Sequence, residues 1–203
     1  MKIGPKFKIA KRLGAPIFEK TQTQKFALSA AKASDRQKKG RRPGMMSDFK
    51  KQLIEKQKMR FSYGITEKQL RKYVDESLEK SSEPIQFLIS RLESRLDNVA
   101  YRLGLAPTRR AARQMASHGH LIVNGHKSTI PSQHLKPGDI VTVRGGSQSS
   151  VMFTELAEKH SGSVPAWLTF DIKKLEGKVN SVPTYEPAET LFDPEQVFEF
   201  YSR

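Results

Sequence analysis

Apolar residues recur along this chain at two periods, and the change of period divides it. From about residue 47 to 103 they return every three or four positions, as on one face of a helix. Ser47 can cap a helix that carries Phe49, Leu53 and Ile54, runs to about Phe61 and ends before Gly64. Thr66, Glu67, Lys68 and Gln69 have the form of a capping box and open a helix with Leu70, Tyr73, Val74 and Leu78 on one face. Pro84 suits the first turn of the next helix, with Ile85, Phe87, Leu88 and Ile89 as core. Arg91–Leu103 is strongly amphipathic: Leu92, Leu96, Val99, Ala100 and Leu103 follow the helical period, and Arg91, Arg95 and Arg102 share another stripe. Gly104 stops that helix. Thr108 then caps a second one, Arg109 to about His118, with Ala111, Ala112, Met115 and Ala116 as its inner face and Gly119 at its end.

Beyond Gly119 the elements become short strands. Leu121, Ile122 and Val123 read as a buried strand, and Asn124-Gly125 is a strong type I′ hairpin signal leading into His126–Ile130. Pro131 starts a loop, Pro137-Gly138-Asp139 makes a turn, and Ile140–Arg144 closes the sheet. The expected class is α+β: a mostly helical chain, a small module of two helices packed on a short antiparallel sheet, and an extended basic N-terminal arm. Gly145-Gly146-Ser147 reads as a linker and Phe153–Lys159 as a short helix. Trp167 is expected in the core and residues 179–185 in a loop, while Val197–Tyr201 fits either a short strand or a helical turn. The organisation expected is therefore an arm over 1–46, a helical module over 47–90 joined by 151–203, and the helix–hairpin module over 91–146.

Charge changes the picture from architecture to partner. The net charge is +15, and it comes in blocks: residues 1–60 hold 18 Lys/Arg against 4 acids and residues 91–150 hold 9 against 3, whereas 151–203 hold 5 against 9. Two basic zones separated by neutral or acidic scaffold point to a polyanionic partner. Residues 1–46 carry few large apolar side chains and are punctuated by Gly4-Pro5, Gly14, Pro16, Gly40 and Pro43-Gly44, so the arm is expected to order against that partner. Phe7, Ile9, Leu13 and Phe18 read as small packing anchors within it. A membrane surface is the weaker polyanion, because the arm has no sustained apolar face and no apolar run is long enough to span a bilayer.

The helix after Thr108 is the sharpest local clue. Arg109, Arg110 and Arg113 crowd its N-terminal end, where the macrodipole already places partial positive charge. An anion held there would relieve the conflict, since orphan N–H groups and guanidinium forks converge on it. A nucleic-acid phosphate is the expected anion. There is no cysteine, hence no disulfide and no thiolate nucleophile.

These residues resemble the RNA-binding module named after ribosomal protein S4. The resemblance is carried by Arg95-Leu96-Asp97-Asn98-Val99, Leu103-Gly104-Leu105, Thr108-Arg109, Ala112-Arg113-Gln114, Val123-Asn124-Gly125, Pro131-Ser132 and Pro137-Gly138-Asp139-Ile140. Pseudouridine synthases, tyrosyl-tRNA synthetases and small stress-related ribosome binders carry the module too. The flanks are similar to the bacterial ribosomal protein S4 family itself, through Gly4-Pro5-Lys6, Lys11-Arg12-Leu13-Gly14, Ser47-Asp48-Phe49, Tyr63-Gly64-Ile65-Thr66-Glu67, Trp167-Leu168 and Glu199-Phe200-Tyr201-Ser202-Arg203. Residues 15–46 and 178–192 match least. Many family members bind zinc through an N-terminal cysteine cluster. This chain has no cysteine, and His118, His120, His126, His134 and His160 replace it neither in position nor in spacing, so no metal and no other cofactor is expected.

The resemblance implies a non-enzymatic constituent of the small ribosomal subunit in the cytoplasm. It implies a primary binder of the 5′ domain of 16S ribosomal RNA that nucleates assembly. It further implies contacts with messenger RNA where it enters the subunit, repression of its own messenger, and an effect on decoding accuracy through a neighbouring small-subunit protein. The expected RNA contacts are Lys6, Lys8, Lys11, Arg12, Arg41 and Arg42 in the arm, and Arg91, Arg95, Arg102, Arg109, Arg110, Arg113, Gln114, Asn124 and Lys127 in the module. Glu199, Phe200 and Tyr201 are the expected protein contact. Asp97 and Asn98 are expected to serve local hydrogen bonding. The alternatives are a non-ribosomal RNA-binding regulator or assembly factor, and an RNA-modifying enzyme, which would need a catalytic domain for which the flanks leave no room.

Overall fold

The computed structural model describes residues 3–39, 46–150, 153, 164–187 and 190–202. Its elements in chain order are helix α1 (Lys6–Leu13), a 3-10 turn (Glu19–Thr21), α2 (Gln24–Lys39), α3 (Asp48–Tyr63), α4 (Glu67–Lys80), α5 (Pro84–Glu93), α6 (Leu96–Arg102) and α7 (Arg109–Ser117). Strands β1 (Leu121–Val123), β2 (His126–Ser128) and β3 (Ile140–Val143) follow, then the one-turn α8 (Gly145–Gln148), β4 (Leu168–Asp171), β5 (Glu176–Val179) and a last helix, α9 (Pro194–Tyr201). They form two compact units, one of Met1–Ile85 with Glu186–Arg203 and one of Gln86–Tyr185. The α+β class stands.

In the first unit the arm departs from the extended form expected. Over the described residues 6–39 it is largely helical, and Ala10, Leu13, Ala15, Ile17, Phe18 and Phe26 are buried. The missing ingredient lies elsewhere in the chain: α3 offers Ile54 and Phe61 as a packing surface, with Phe61 edge-on to Phe18 at 6.2 Å. Of the four expected anchors Leu13 and Phe18 are buried, Ile9 is half-buried, and Phe7 is exposed. On α4 the buried face is Leu70, Tyr73, Val74 and Ser77, whereas Leu78 is 54% exposed. Ser77 replaces it inside because its hydroxyl donates to the Val74 carbonyl at 2.7 Å. The open question at the C-terminus resolves as a helix: Asp193 accepts from the Glu195 amide at 3.0 Å, and Pro194 occupies the first helical position.

In the second unit the continuous helix expected over Arg91–Leu103 is broken. The Leu96 amide donates to the Gln133 carbonyl at 2.8 Å and the Asp97 amide to Pro131 at 3.0 Å, while the Leu135 amide donates to Ser94 at 2.8 Å. Pairing with this loop takes Arg95 out of helical geometry, at φ −70° and ψ 140°, and separates α5 from α6. The hairpin is as read: Asn124 and Gly125 sit at φ 49° and 82°, the two positive values a type I′ turn requires.

The sheet is larger than the three strands expected. It is antiparallel throughout, in the order β2-β1-β3-β5-β4, with Val141 opposite both Val123 and Gly177. Residues 168–179 thus extend the sheet of the second unit, and the linker expected at 145–147 is a helical turn. Leu96, Leu103, Leu121, Val141, Phe153 and Val179 share one core between the helices and the sheet, and Trp167 packs half-buried against it. Apart from Phe153, the helix expected over 153–159 lies outside the described residues.

Candidate nucleic-acid interface

Thr108 caps α7 as its sequence suggests, its hydroxyl accepting from the Ala111 amide at 3.1 Å. Arg109 and Arg113 then stand one turn apart, on the side of α7 that meets α6. The break before α6 has already turned Arg95 inward and placed Asp97 in the first turn of α6. Glu93, at the end of α5, lies below.

The result is a network around two buried carboxylates. Asp97, 3% exposed, accepts from Arg95 Nε at 3.0 Å and Nη2 at 2.9 Å, and from Arg113 Nε at 2.7 Å and Nη2 at 2.6 Å. Glu93, 4% exposed, accepts from Arg102 Nε at 2.9 Å and Nη2 at 3.2 Å and from Asn98 Nδ2 at 2.7 Å, with Arg109 Nη2 at 3.9 Å. Asn98 bridges the two halves: its Nδ2 also donates to the Glu93 carbonyl, and its Oδ1 accepts from Arg109 Nε at 2.7 Å. The Arg109 guanidinium lies 4.5 Å from the centre of the Tyr101 ring. Asp97 and Asn98 thus have the local bonding roles expected of them.

The network answers the dipole conflict differently from the sequence argument. A cation in the first turn of a helix costs about 0.3–1 kcal/mol, and a hydrogen bond to a charged group contributes about 1.5–3 kcal/mol. The anions that hold Arg109 and Arg113 are therefore the protein's own. Arg110 differs: it is exposed and pairs with no carboxylate among the described residues.

The expected contact residues fall into several groups. Arg102, Arg109 and Arg113 are brought together with guanidiniums partly exposed, and Arg110 and Gln114 lie exposed on the neighbouring stripe of α7. Arg95 is buried, 3% exposed, and fully committed to the interior network, and Arg91 is half-buried. Asn124 is exposed but structural, donating to Asp139 Oδ1 at 2.8 Å and accepting from the Ile140 amide at 2.9 Å. Lys127 is exposed on β2. In the first unit Lys8, Lys11 and Arg12 share the exposed face of α1, and Lys6 lies 5.6 Å from the Phe18 ring centre. Arg41 and Arg42 lie outside the described residues.

The C-terminal trio is held from within the first unit. Glu199 accepts from Gln52 at 2.8 Å, and the buried Lys56 ammonium lies 4.4 Å from the Phe200 ring centre and 2.7 Å from Glu67. The Tyr201 hydroxyl donates to the same Glu67 oxygen at 2.7 Å. Burial would raise the Glu67 pKa, but Lys56, Tyr201 and Arg60 together hold it below the ordinary carboxylate value. Burial first, and then the Glu67 carboxylate, push the Tyr201 hydroxyl well above its usual 10.0, so it remains a donor. A raised folded pKa contributes stability that is complete below pH 10 and declines as pH climbs above it. Tyr201→Phe is expected to lower stability by roughly 1 kcal/mol at neutral pH. Urea unfolding at pH 7 and 10.5 should show the gap between variant and parent narrowing at the higher pH. A constant gap would contradict the Tyr201–Glu67 assignment.

Glu93 and Tyr101 are the members of this site that sequence reasoning passed over. Glu93 stands four residues before Asp97, so on a helix the two acids would share a face, a signal that could have marked them as partners for the arginines. Among the described residues no group of three or more His, Asp or Glu could hold a metal ion. The zinc that the family resemblance brings to mind has no thiolate here to receive it. A cleft of about 530 Å³ in the first unit is lined by Ile9, Leu13, Leu53, Ile54 and Phe61 with Arg12, Lys50, Gln57 and Arg60. It has no carboxylate or histidine for acid–base chemistry.

The chain is similar to known proteins along nearly its whole length. Residues 94–141 match the S4 domain, and residues 1–93 match the ribosomal protein S4/S9 N-terminal domain. The chain is 40% identical over 206 residues to a protein of Chromobacterium violaceum, covering 99% of this chain and 98% of the relative. It is 40% identical over 202 residues to one of Persephonella marina, covering 98% of each, and 39% identical over 207 residues to one of Chloroflexus aurantiacus, covering 99% and 98%. Each of the three is named small ribosomal subunit protein uS4.

Proposed function

Because the chain belongs to the ribosomal protein S4 family, we propose that it is a primary binder of the 5′ domain of 16S ribosomal RNA within the small subunit. The relatives' identity along nearly the whole chain supports a structural role in the small ribosomal subunit, and the S4 domain match supports binding of ribosomal RNA. The observation that carries the finer reading is the α6–α7 face, where Arg102, Arg109, Arg110 and Arg113 gather with Gln114. Guanidinium forks in fixed orientation suit phosphate oxygens on a folded RNA. Such recognition reads backbone and shape, since the A-form major groove is too narrow for side chains.

In this reading Lys8, Lys11 and Arg12 of α1, with Arg41 and Arg42, engage a second RNA helix. Lys6 adds to the contacts of α1, Arg91, Asn124 and Lys127 add to those of the module, and Arg95 acts from inside the module. Holding phosphates of separate helices fixes their mutual angle and lowers the cost of folding the junction, which is how an early-binding protein nucleates assembly. The exposed Glu199 and the Phe49–Phe200 ring pair, 5.7 Å between centres with Phe49 51% exposed, supply the face for a neighbouring small-subunit protein. Through that contact the protein influences decoding accuracy. Contact with incoming messenger RNA and repression of its own messenger belong to the same proposal.

Mass spectrometry of small subunits washed at high salt tests the assignment. Near-stoichiometric retention in mature subunits is expected. Presence only in immature particles would favour an assembly factor.

A further inference from the structure

We propose that the buried carboxylates Asp97 and Glu93 are positioning residues of the RNA site, holding its arginines in binding geometry before RNA arrives. The inference rests on the RNA-binding reading of the α6–α7 face and deepens it.

Two acids beside a polyanion site are at first sight a liability, because each subtracts a positive charge from the face that must attract phosphate. The geometry gives them another role. Each carboxylate grips the Nε edge of an arginine that is also partly open to solvent: Asp97 holds Arg113, 31% exposed, and Glu93 holds Arg102, 24% exposed. Arg109 is clamped on three sides, by Asn98, by Glu93 and by the Tyr101 ring. Asn98 is itself oriented by two bonds to Glu93, so the carboxylate acts on Arg109 directly and through the amide. Arg95, buried behind Asp97, neutralises that carboxylate from the inside and leaves it an anchor for Arg113.

The four arginines named here outnumber the two carboxylates that hold them, which leaves these groups with an excess of positive charge. The excess faces solvent, since Arg95 and both acids are buried while the other three guanidiniums are partly exposed. A free arginine loses much rotamer freedom when it grips a phosphate, and one already held loses little. The two negative charges are thus exchanged for pre-organisation.

The two roles of these acids predict opposite signs. If they only moderate the charge, Asp97→Asn and Glu93→Gln make the face more positive, and binding to RNA tightens. If they position the arginines, the same isosteric changes weaken binding. Full-length wild-type protein and both variants are titrated with a 5′-domain RNA fragment across a potassium chloride series, with thermal melts as the check on folding. Each folded variant is expected to bind at least tenfold more weakly, with a shallower dependence on salt. A folded variant that binds as tightly as wild type, or more tightly, overturns the proposal. Failure of wild type to bind the fragment would instead remove the RNA reading itself. Should neither variant fold, the wild-type protein decides the matter: NMR relaxation of the Nε–H groups of Arg102, Arg109 and Arg113 is expected to show rigid side chains without RNA and little change on binding. Mobile signals in the free protein overturn the proposal.

Discussion

Replacing Arg109 and Arg113 together by alanine is expected to weaken binding to 5′-domain ribosomal RNA by roughly 100-fold, from two lost charge-assisted contacts of about 1.5–3 kcal/mol each, partly offset by relaxation. The dependence of log affinity on log salt should become shallower by about 1.5, two phosphates at about 0.7–0.9 apiece. The fold is expected to survive because neither carboxylate is orphaned. Asp97 keeps both of its bonds to Arg95, and Glu93 keeps Arg102 and Asn98. Filter binding over a potassium chloride series, with a thermal melt of each protein, separates the effects. An unchanged affinity and slope would take the start of α7 out of the interface. A collapse of the melt would mean that the two arginines act mainly on stability.

The second large effect is expected in the sheet. Gly177 on β5 lies against the fully buried Leu103, and a Cβ at position 177 would run into the Leu103 side chain. Gly177→Ala is expected to lower stability by about 1–3 kcal/mol through overpacking. Leu103→Ala alone should cost about 2–5 kcal/mol by leaving a cavity. The double variant should be more stable than the sum of the two losses predicts, because the new methyl enters the space the leucine vacates. Urea unfolding of the four proteins gives the coupling. Strict additivity would mean that Gly177 of β5 and Leu103, just after α6, do not meet.

The same pair shows where sequence reasoning reached and where it stopped. Leu103 was legible as the last member of an apolar helical stripe, and Gly104 as the stop that follows it. Nothing local to 168–179 says that these residues pair with β3, because strand pairing is settled by a partner many residues away. For the candidate site the split is similar. The cap at Thr108, the arginines on α7 and the Asn124-Gly125 turn were all written in neighbouring residues. The burial of Arg95 was not, since it depends on the loop at 131–135 drawing the chain out of its helix.

By itself, then, the sequence determined the caps at Thr66 and Thr108, the turns, the two basic zones and the family, whereas Ser47 starts α3 without a side-chain cap bond. Each is a property of nearby residues or of summed charge, and needs no knowledge of what lies across the fold. Only the tertiary structure decided that the arm is helical against α3, that the sheet has five strands, and that α9 closes on Lys56 and Glu67. It also decided that the anions facing Arg109 and Arg113 are Glu93 and Asp97. Those outcomes arise from groups far apart in sequence, whose desolvation and pairing energies exist only once the chain has brought them together.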